Sequence, residues 1–228
     1  MNREQIKYIA ISAMLLDHIG MLFLPLHTPL GYLCRFVGRL TAPLMCFFLT
    51  EGFARTSSKK RYGLRLLIFA VISQPVYAWA CGVPLWEPEM NMLFTLFLCF
   101  LILLTEERLP QGPRICAQVG LVVLSAWCDW SLWAPLWVLG FWRYRDSRKK
   151  QVAWYCAVAG LRVIEGLLDL QNGTPLYAVS VFLGLFLAVP FLLLYDGRRG
   201  RGGKWAKWAF YWFYPLHLLV LMLLKQVL

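Results

Sequence analysis

Residues 5–24 read QIKYIAISAMLLDHIGMLFL. An apolar run of this length suits one helical crossing of a bilayer, because ~20 residues rising 1.5 Å each match the hydrocarbon core. The only ionisable side chains deep inside it are Asp17 and His18. Burying such groups at membrane depth is costly, so they mark a functional site ahead of mere filler.

The rest of the 228 residues has the same character. The chain is 60% hydrophobic and 15% charged, against about 25% charged in a soluble domain. With a mean hydropathy of +0.58, it reads as an all-α, polytopic helical membrane bundle in a single domain, residues 1–228, with no soluble domain. Continuous rather than alternating apolar runs argue against a membrane β-barrel. Turn and charge signals bound candidate spans at 5–25, 36–54, 62–82, 90–105, 114–128, 131–142, 151–169, 175–195 and 207–227. Stretches 114–128 and 131–142 are short for a crossing; they suit a tilted hairpin, a re-entrant pair or one partly interfacial element. The first span carries no small-residue cleavage site and is expected to be retained.

The net charge of +11 sits in short loops between apolar runs. That distribution is the signature of orientation in a membrane and not of nucleic-acid binding. A cytoplasmic N-terminus gathers Arg3, Lys7, the Arg55–Arg65 set, Arg108, Arg114, the Arg143–Lys150 set and the Arg198–Lys207 set on one side. The opposite loops then hold Glu87, Glu89 and Asp129 or no charge. Such a chain has membrane lipids as its constant partner. The seven cysteines lie mostly within apolar runs without C-x-x-C spacing, and read as packing residues. No metal is expected.

Lys7 and His18 are eleven residues apart, which on a helix leaves them ~20° apart in azimuth and ~16 Å apart in depth. A cation at the cytoplasmic edge can hold an anionic ligand, and a neutral imidazole deeper in can accept a proton from a nucleophile. The plainer alternatives are a snorkelling lysine and a histidine bonded to a neighbouring helix. Asp17 need not touch the imidazole, since adjacent helical positions diverge by ~100°. It can instead pair with a cation on another helix, with Arg39 the candidate, or orient His18 as in a catalytic dyad.

Arg35 and Arg39 share a face at i, i+4, followed by Pro43, which bends the helix. Glu51 lies one helix length further on, either in an ion pair or at the interface. Asn91 opens its span and has the ordinary explanation of an N-cap. Arg162, Glu165 and Asp169 share a face and can neutralise one another, Arg162 lying deepest and able to serve a ligand. His217 follows Pro215 in FYWFYPLHLL, where the proline loosens the helix ladder. The usual signatures of nucleotide hydrolysis, zinc proteolysis and serine hydrolysis are absent.

The stretches IKYIAISAMLLDHIG (6–20), VGRLTAPLMCFFLTEGFARTSS (37–58), YGLRLLIFAVISQP (62–75), NMLFTLFLCF (91–100) and FYPLHLL (213–219), taken in order, resemble the TraX family. These are bacterial inner-membrane proteins linked to N-terminal acetylation of conjugative pilin. Residues 105–205 match only in general character. The family is similar to the broader transmembrane acyltransferases, including acyltransferase family 3, in which a basic residue stands eleven positions before a first-helix histidine. The resemblance implies His18 as the catalytic histidine and Lys7 on the path of the acyl donor. It also implies Asp17, Arg39, Glu51, Asn91 and His217 as site residues.

The expected activity is therefore acetyl transfer from cytosolic acetyl-CoA to an amine or hydroxyl, with the N-terminus of pilin among the candidate acceptors. His18, Asp17 and Arg39 are expected to be catalytic, with Glu51, Asn91, Arg162 and His217 contacting substrate. Lys7, Lys59, Lys60 and Arg61 would hold the coenzyme A phosphates. The rival is a proton-coupled transporter using the same buried Asp, His, Arg and Glu as a relay. A non-catalytic membrane partner of pilus assembly is the third reading.

Overall fold

The structure, a computed structural model, describes all residues except 86–88, 199, 201 and 202. Glu87, Arg199 and Arg201 thus lie outside the described residues, as do the side chains of Lys204 and Lys207. The regular structure of the described chain is all helical, and among the described residues the only β pairing is an isolated bridge between Met90 and Cys128. The helices are α1 (Arg3–Phe23), α2 (Pro29–Gly38), α3 (Thr41–Arg55), α4 (Lys59–Cys81), α5 (Met92–Arg108), α6 (Gln111–Leu124), α7 (Trp133–Arg143), α8 (Arg148–Asp169), α9 (Leu176–Ser180), α10 (Ala188–Leu194) and α11 (Gly203–Val227). Among the described residues, six segments are long and apolar enough to cross a membrane: Arg3–Phe23, Pro29–Arg55, Lys59–Cys81, Arg148–Asn172, Leu176–Leu194 and Trp208–Val227. The all-α membrane class read from the sequence stands. Helices α5, α6 and α7, with 17, 14 and 11 residues, fall below the ~20 residues of a full crossing.

The chain forms two compact units. The first comprises Met1–Met45 and Asp146–Leu228. Its α1 starts on a capping box: the Asn2 side chain accepts from the backbone amides of Glu4 and Gln5, and the Gln5 side chain accepts from the amide of Asn2. Helix α2 packs along α1, and α11 lies against α1 as well. The sequence suggested that the second span begins at residue 36, but helix begins at Pro29. Thr28 caps it by accepting from the Gly31 amide, and Pro29 at the first helical position needs no amide partner. The turn-like Thr-Pro pair is a helix start.

The bend expected at Pro43 falls at Arg39–Leu40, between α2 and α3. Pro43 has no amide proton for the carbonyl four residues earlier, which is that of Arg39, so the helix ladder opens there. The crossing from 176 to 194 is irregular too. Its middle, Val181–Leu187, winds as a 3₁₀ helix between α9 and α10. There Gly184 rests on the Phe36 carbonyl so closely that no β-carbon fits, and the Leu185 carbonyl accepts from the Tyr155 hydroxyl.

The second unit is Cys46–Arg145. Its core is aromatic: Phe53 meets Phe100 at 5.4 Å and Trp142 at 5.3 Å, and Phe47 meets Phe141 at 5.4 Å, all nearly edge to face. Helix α5 is the centre of the unit and packs on α4, α6 and α7. The turn between α6 and α7 is tied down by Met90, whose amide donates to the Trp127 carbonyl and whose carbonyl accepts from the Asp129 amide.

Candidate active site

In the first unit, α1 presents Asp17 to α2. Gly38 makes the approach possible, since a β-carbon there would overlap the Asp17 side chain. One carboxylate oxygen accepts from Arg39 Nη2 at 2.8 Å and the other from Arg35 Nη1 at 2.9 Å. Arg39 Nε also donates to the Arg35 carbonyl. Asp17 therefore pairs with Arg39, as the sequence suggested, and with Arg35 as well. Its two oxygens are turned to guanidinium groups, and His18 Nδ1 finds a different partner; the dyad in which Asp17 orients the imidazole is not built. One carboxylate facing two guanidiniums leaves this helix pair cationic.

His18 lies on α1 beside this cluster and is only partly buried. Its Nδ1 is 2.8 Å from the Met14 carbonyl. A carbonyl can only accept, so Nδ1 carries the proton and Nε2 of the neutral ring is a lone pair. Among the described residues no hydrogen bond to that Nε2 is seen. The second histidine is close: His217 Nε2 is 3.1 Å from His18 Nδ1, and the ring centres are 4.9 Å apart. His217 is buried on α11 beside Pro215, and its Nδ1 is 2.7 Å from the Phe213 carbonyl. Phe213 stacks on it at 4.7 Å and Tyr214 meets it edge-on at 5.9 Å.

Lys7 sits on the same helix as His18, with its ammonium 4.9 Å from the Phe210 ring of α11. Arg162 of α8 pairs with Glu165 at 2.9 Å. Its guanidinium lies 3.6 Å from the Phe182 ring, whose centre is also 5.7 Å from the Arg39 guanidinium. Phe182, from the 3₁₀ stretch, is thus shared by two arginines. Sequence reading overlooked it, because a phenylalanine within a 19-residue apolar segment carries no signal of its own. The first unit therefore brings together Asp17, His18, Arg39 and His217, with Arg162 joined to Arg39 through Phe182 and Lys7 further along α1.

Glu51, Lys59, Lys60, Arg61 and Asn91 belong to the second unit. Glu51 pairs with Arg55 at 2.8 Å. Lys59 pairs with Glu107 at 3.1 Å, donates to the Phe53 carbonyl and covers the Phe53 ring. Lys60 and Arg61 are exposed at the start of α4. Asn91 is fully buried. It caps α5 by accepting from the Leu93 amide, and its amide group donates to the Ala70 carbonyl and to Gln74 Oε1, each at 2.8 Å. Both of its side-chain protons are committed inside the unit, as suits a clasp between α4 and α5.

The sequence matches the family described as TraX protein over residues 2–225. The chain belongs to the TraX family. A relative from Dichelobacter nodosus, described as a probable fimbrial assembly protein FimC of serogroup H1, is 36% identical over 210 residues. The match covers 86% of this chain and 84% of that protein. No solved structure matches the chain. For this TraX chain the side chains that meet in the first unit come from opposite ends of the sequence, Asp17, His18 and Arg39 near the start and His217 near the end.

Proposed function

We propose that this chain is an integral membrane acetyltransferase, moving an acetyl group from cytosolic acetyl-CoA to an amine or hydroxyl acceptor. Membership of the TraX family supports the reading, and the relative's description as a fimbrial assembly protein fits a pilus-related role, in which the N-terminus of pilin is the acceptor we propose. The observation that carries it is the state of His18. With Nδ1 held by the Met14 carbonyl, the neutral ring offers Nε2 as a base within a membrane-spanning segment.

The N-terminus faces the cytoplasm in this reading, so the basic loops draw the coenzyme A phosphates electrostatically. Lys7, ~16 Å along α1 from His18, lies at the entry for the donor. His18 Nε2 removes the proton as the acceptor nitrogen or oxygen attacks the thioester carbonyl, then returns it to the departing thiolate. Arg39, fixed beside His18 by Asp17, supplies positive charge for the developing oxyanion. An amine must be neutral to attack, and a site screened from water favours that form.

The test uses full-length protein in nanodiscs, radiolabelled acetyl-CoA and a peptide with a free N-terminus. Wild type should transfer label, and His18→Ala should lose on the order of 100-fold or more. Neither donor binding nor turnover in wild type, together with solute uptake by vesicles that His18→Ala abolishes, would instead establish the transporter.

A further inference from the structure

Two histidines of the chain's three meet at 3.1 Å, and their surroundings make them unequal. Each Nδ1 faces a carbonyl four residues earlier on its own helix, Met14 for His18 and Phe213 for His217. Both Nδ1 atoms therefore carry protons, and in neutral rings both Nε2 atoms are lone pairs. The His217 lone pair points at the His18 Nδ1 proton, which is shared between Met14 and His217. A second proton on His217 would set its Nε2–H against the Nδ1–H of His18. A second proton on His18 goes to Nε2, away from the contact. The geometry can charge His18 and not His217.

We infer that His217 is a positioning residue, a hydrogen-bond acceptor that, beside the Met14 carbonyl, holds the Nδ1 proton of His18 and stabilises the imidazolium formed when Nε2 acts as the base. This role replaces the substrate contact expected for His217 and rests on the acetyl-transfer reading for its kinetic consequence. When the acceptor's N–H or O–H bond breaks, its proton forms the new Nε2–H bond of His18. The Nδ1 proton stays in place, and the His217 lone pair stabilises the imidazolium. The Nε2 proton then passes to the coenzyme A thiolate, restoring the neutral pair. Stacking on Phe213 and the edge of Tyr214 hold the His217 ring in the required plane.

The tautomer is read directly by ¹⁵N NMR of histidine-labelled, full-length protein in nanodiscs, with His27→Gln removing the third signal. Wild type should show His18 in one neutral form, with Nδ1 protonated. His217→Leu should keep Nδ1 protonated, because the Met14 carbonyl remains, but should lower the pH at which Nε2 takes up its second proton, while His217→Gln, which retains an acceptor oxygen, should restore it. In the acetyl-transfer assay, His217→Leu should lower kcat on the order of 100-fold with KM for acetyl-CoA unchanged, and His217→Gln should recover most of it. A neutral wild-type His18 protonated at Nε2, or a His18 titration that His217→Leu leaves unchanged, overturns the inference, as does a raised acceptor KM with unchanged kcat. Should wild type transfer no acetyl group, the NMR arms still decide on the pair, so failure of the activity and failure of the pairing are told apart.

Discussion

Gly38 of α2 lies against Asp17 of α1 so closely that a β-carbon at position 38 would overlap the aspartate's Cβ, Cγ and Oδ1 atoms. The close approach is what lets Arg39, the next residue, reach the carboxylate at 2.8 Å. Gly38→Ala must push the helices apart or swing the carboxylate off its partners, and overpacking of this kind costs about 1–3 kcal/mol. Thermal unfolding in detergent should show that loss, and likewise for Gly184→Ala, where the added methyl meets the Phe36 carbonyl. Gly160→Ala, with open space around its β-carbon, should be neutral or slightly stabilising, because alanine is the better helix former.

The ion cluster should respond asymmetrically to its members. Asp17→Asn leaves the Arg35 and Arg39 charges beside each other without their carboxylate, and orphaning partly buried charge costs about 3–5 kcal/mol at full burial. The arginine side chains retain 23% and 10% of their exposure, so the loss should fall below that range. Arg35→Gln removes the more exposed cation and keeps the pair between Asp17 and Arg39, so it should be the milder change. Denaturant midpoints of the two variants, with Arg39→Gln between or beyond them, test the ranking. Equal losses for Asp17→Asn and Arg35→Gln would show that the carboxylate serves only one arginine.

The long crossings were legible because a bilayer demands an unbroken apolar stretch, which hydropathy displays directly in α1, α4, α8 and α11. The start of α2 was hidden by Thr28 and Pro29, residue types that both turns and helix N-termini favour. The pairing of Asp17 with Arg39 could be anticipated, since a buried carboxylate needs a cation and few were at hand. The contact between His18 and His217 could not. It spans 199 positions, and it depends on the rotation and depth of α1 against α11, to which composition is blind. Asn91 is the N-cap that its place at the start of the span suggested. An asparagine at a helix start reads the same whether its amide faces a ligand or, as here, the Ala70 carbonyl and Gln74.

Lys7 and His18 should separate cleanly in kinetics. Lys7 stands ~16 Å along α1 from His18, the proposed base, too far to take part in the proposed proton transfer. Lys7→Gln should therefore raise KM for acetyl-CoA and leave kcat nearly unchanged, the pattern of lost uniform binding. His18→Gln should lower kcat with little effect on donor affinity. Increasing salt should weaken donor binding to wild type more than to Lys7→Gln, since screening acts on the charge that the variant lacks.

Asn91→Ala should be a stability variant. It removes the cap on α5, worth about 0.5–2 kcal/mol, and leaves the Ala70 carbonyl without its side-chain donor, a further ~1–3 kcal/mol for a buried group. Gln74 Oε1 loses its side-chain donor in the same step but keeps the backbone amide of residue 91 at 3.0 Å, and Gln74 still donates to the Glu89 carbonyl, so the segment leading into α5 stays tied to α4. Asn91→Asp keeps the cap, because either carboxylate oxygen accepts from the Leu93 amide, but it sets negative charge against the Ala70 carbonyl and Gln74 Oε1. It should be at least as damaging as alanine. Unfolding midpoints in detergent rank the two. A substrate contact would instead leave both variants as stable as wild type and confine the damage to turnover.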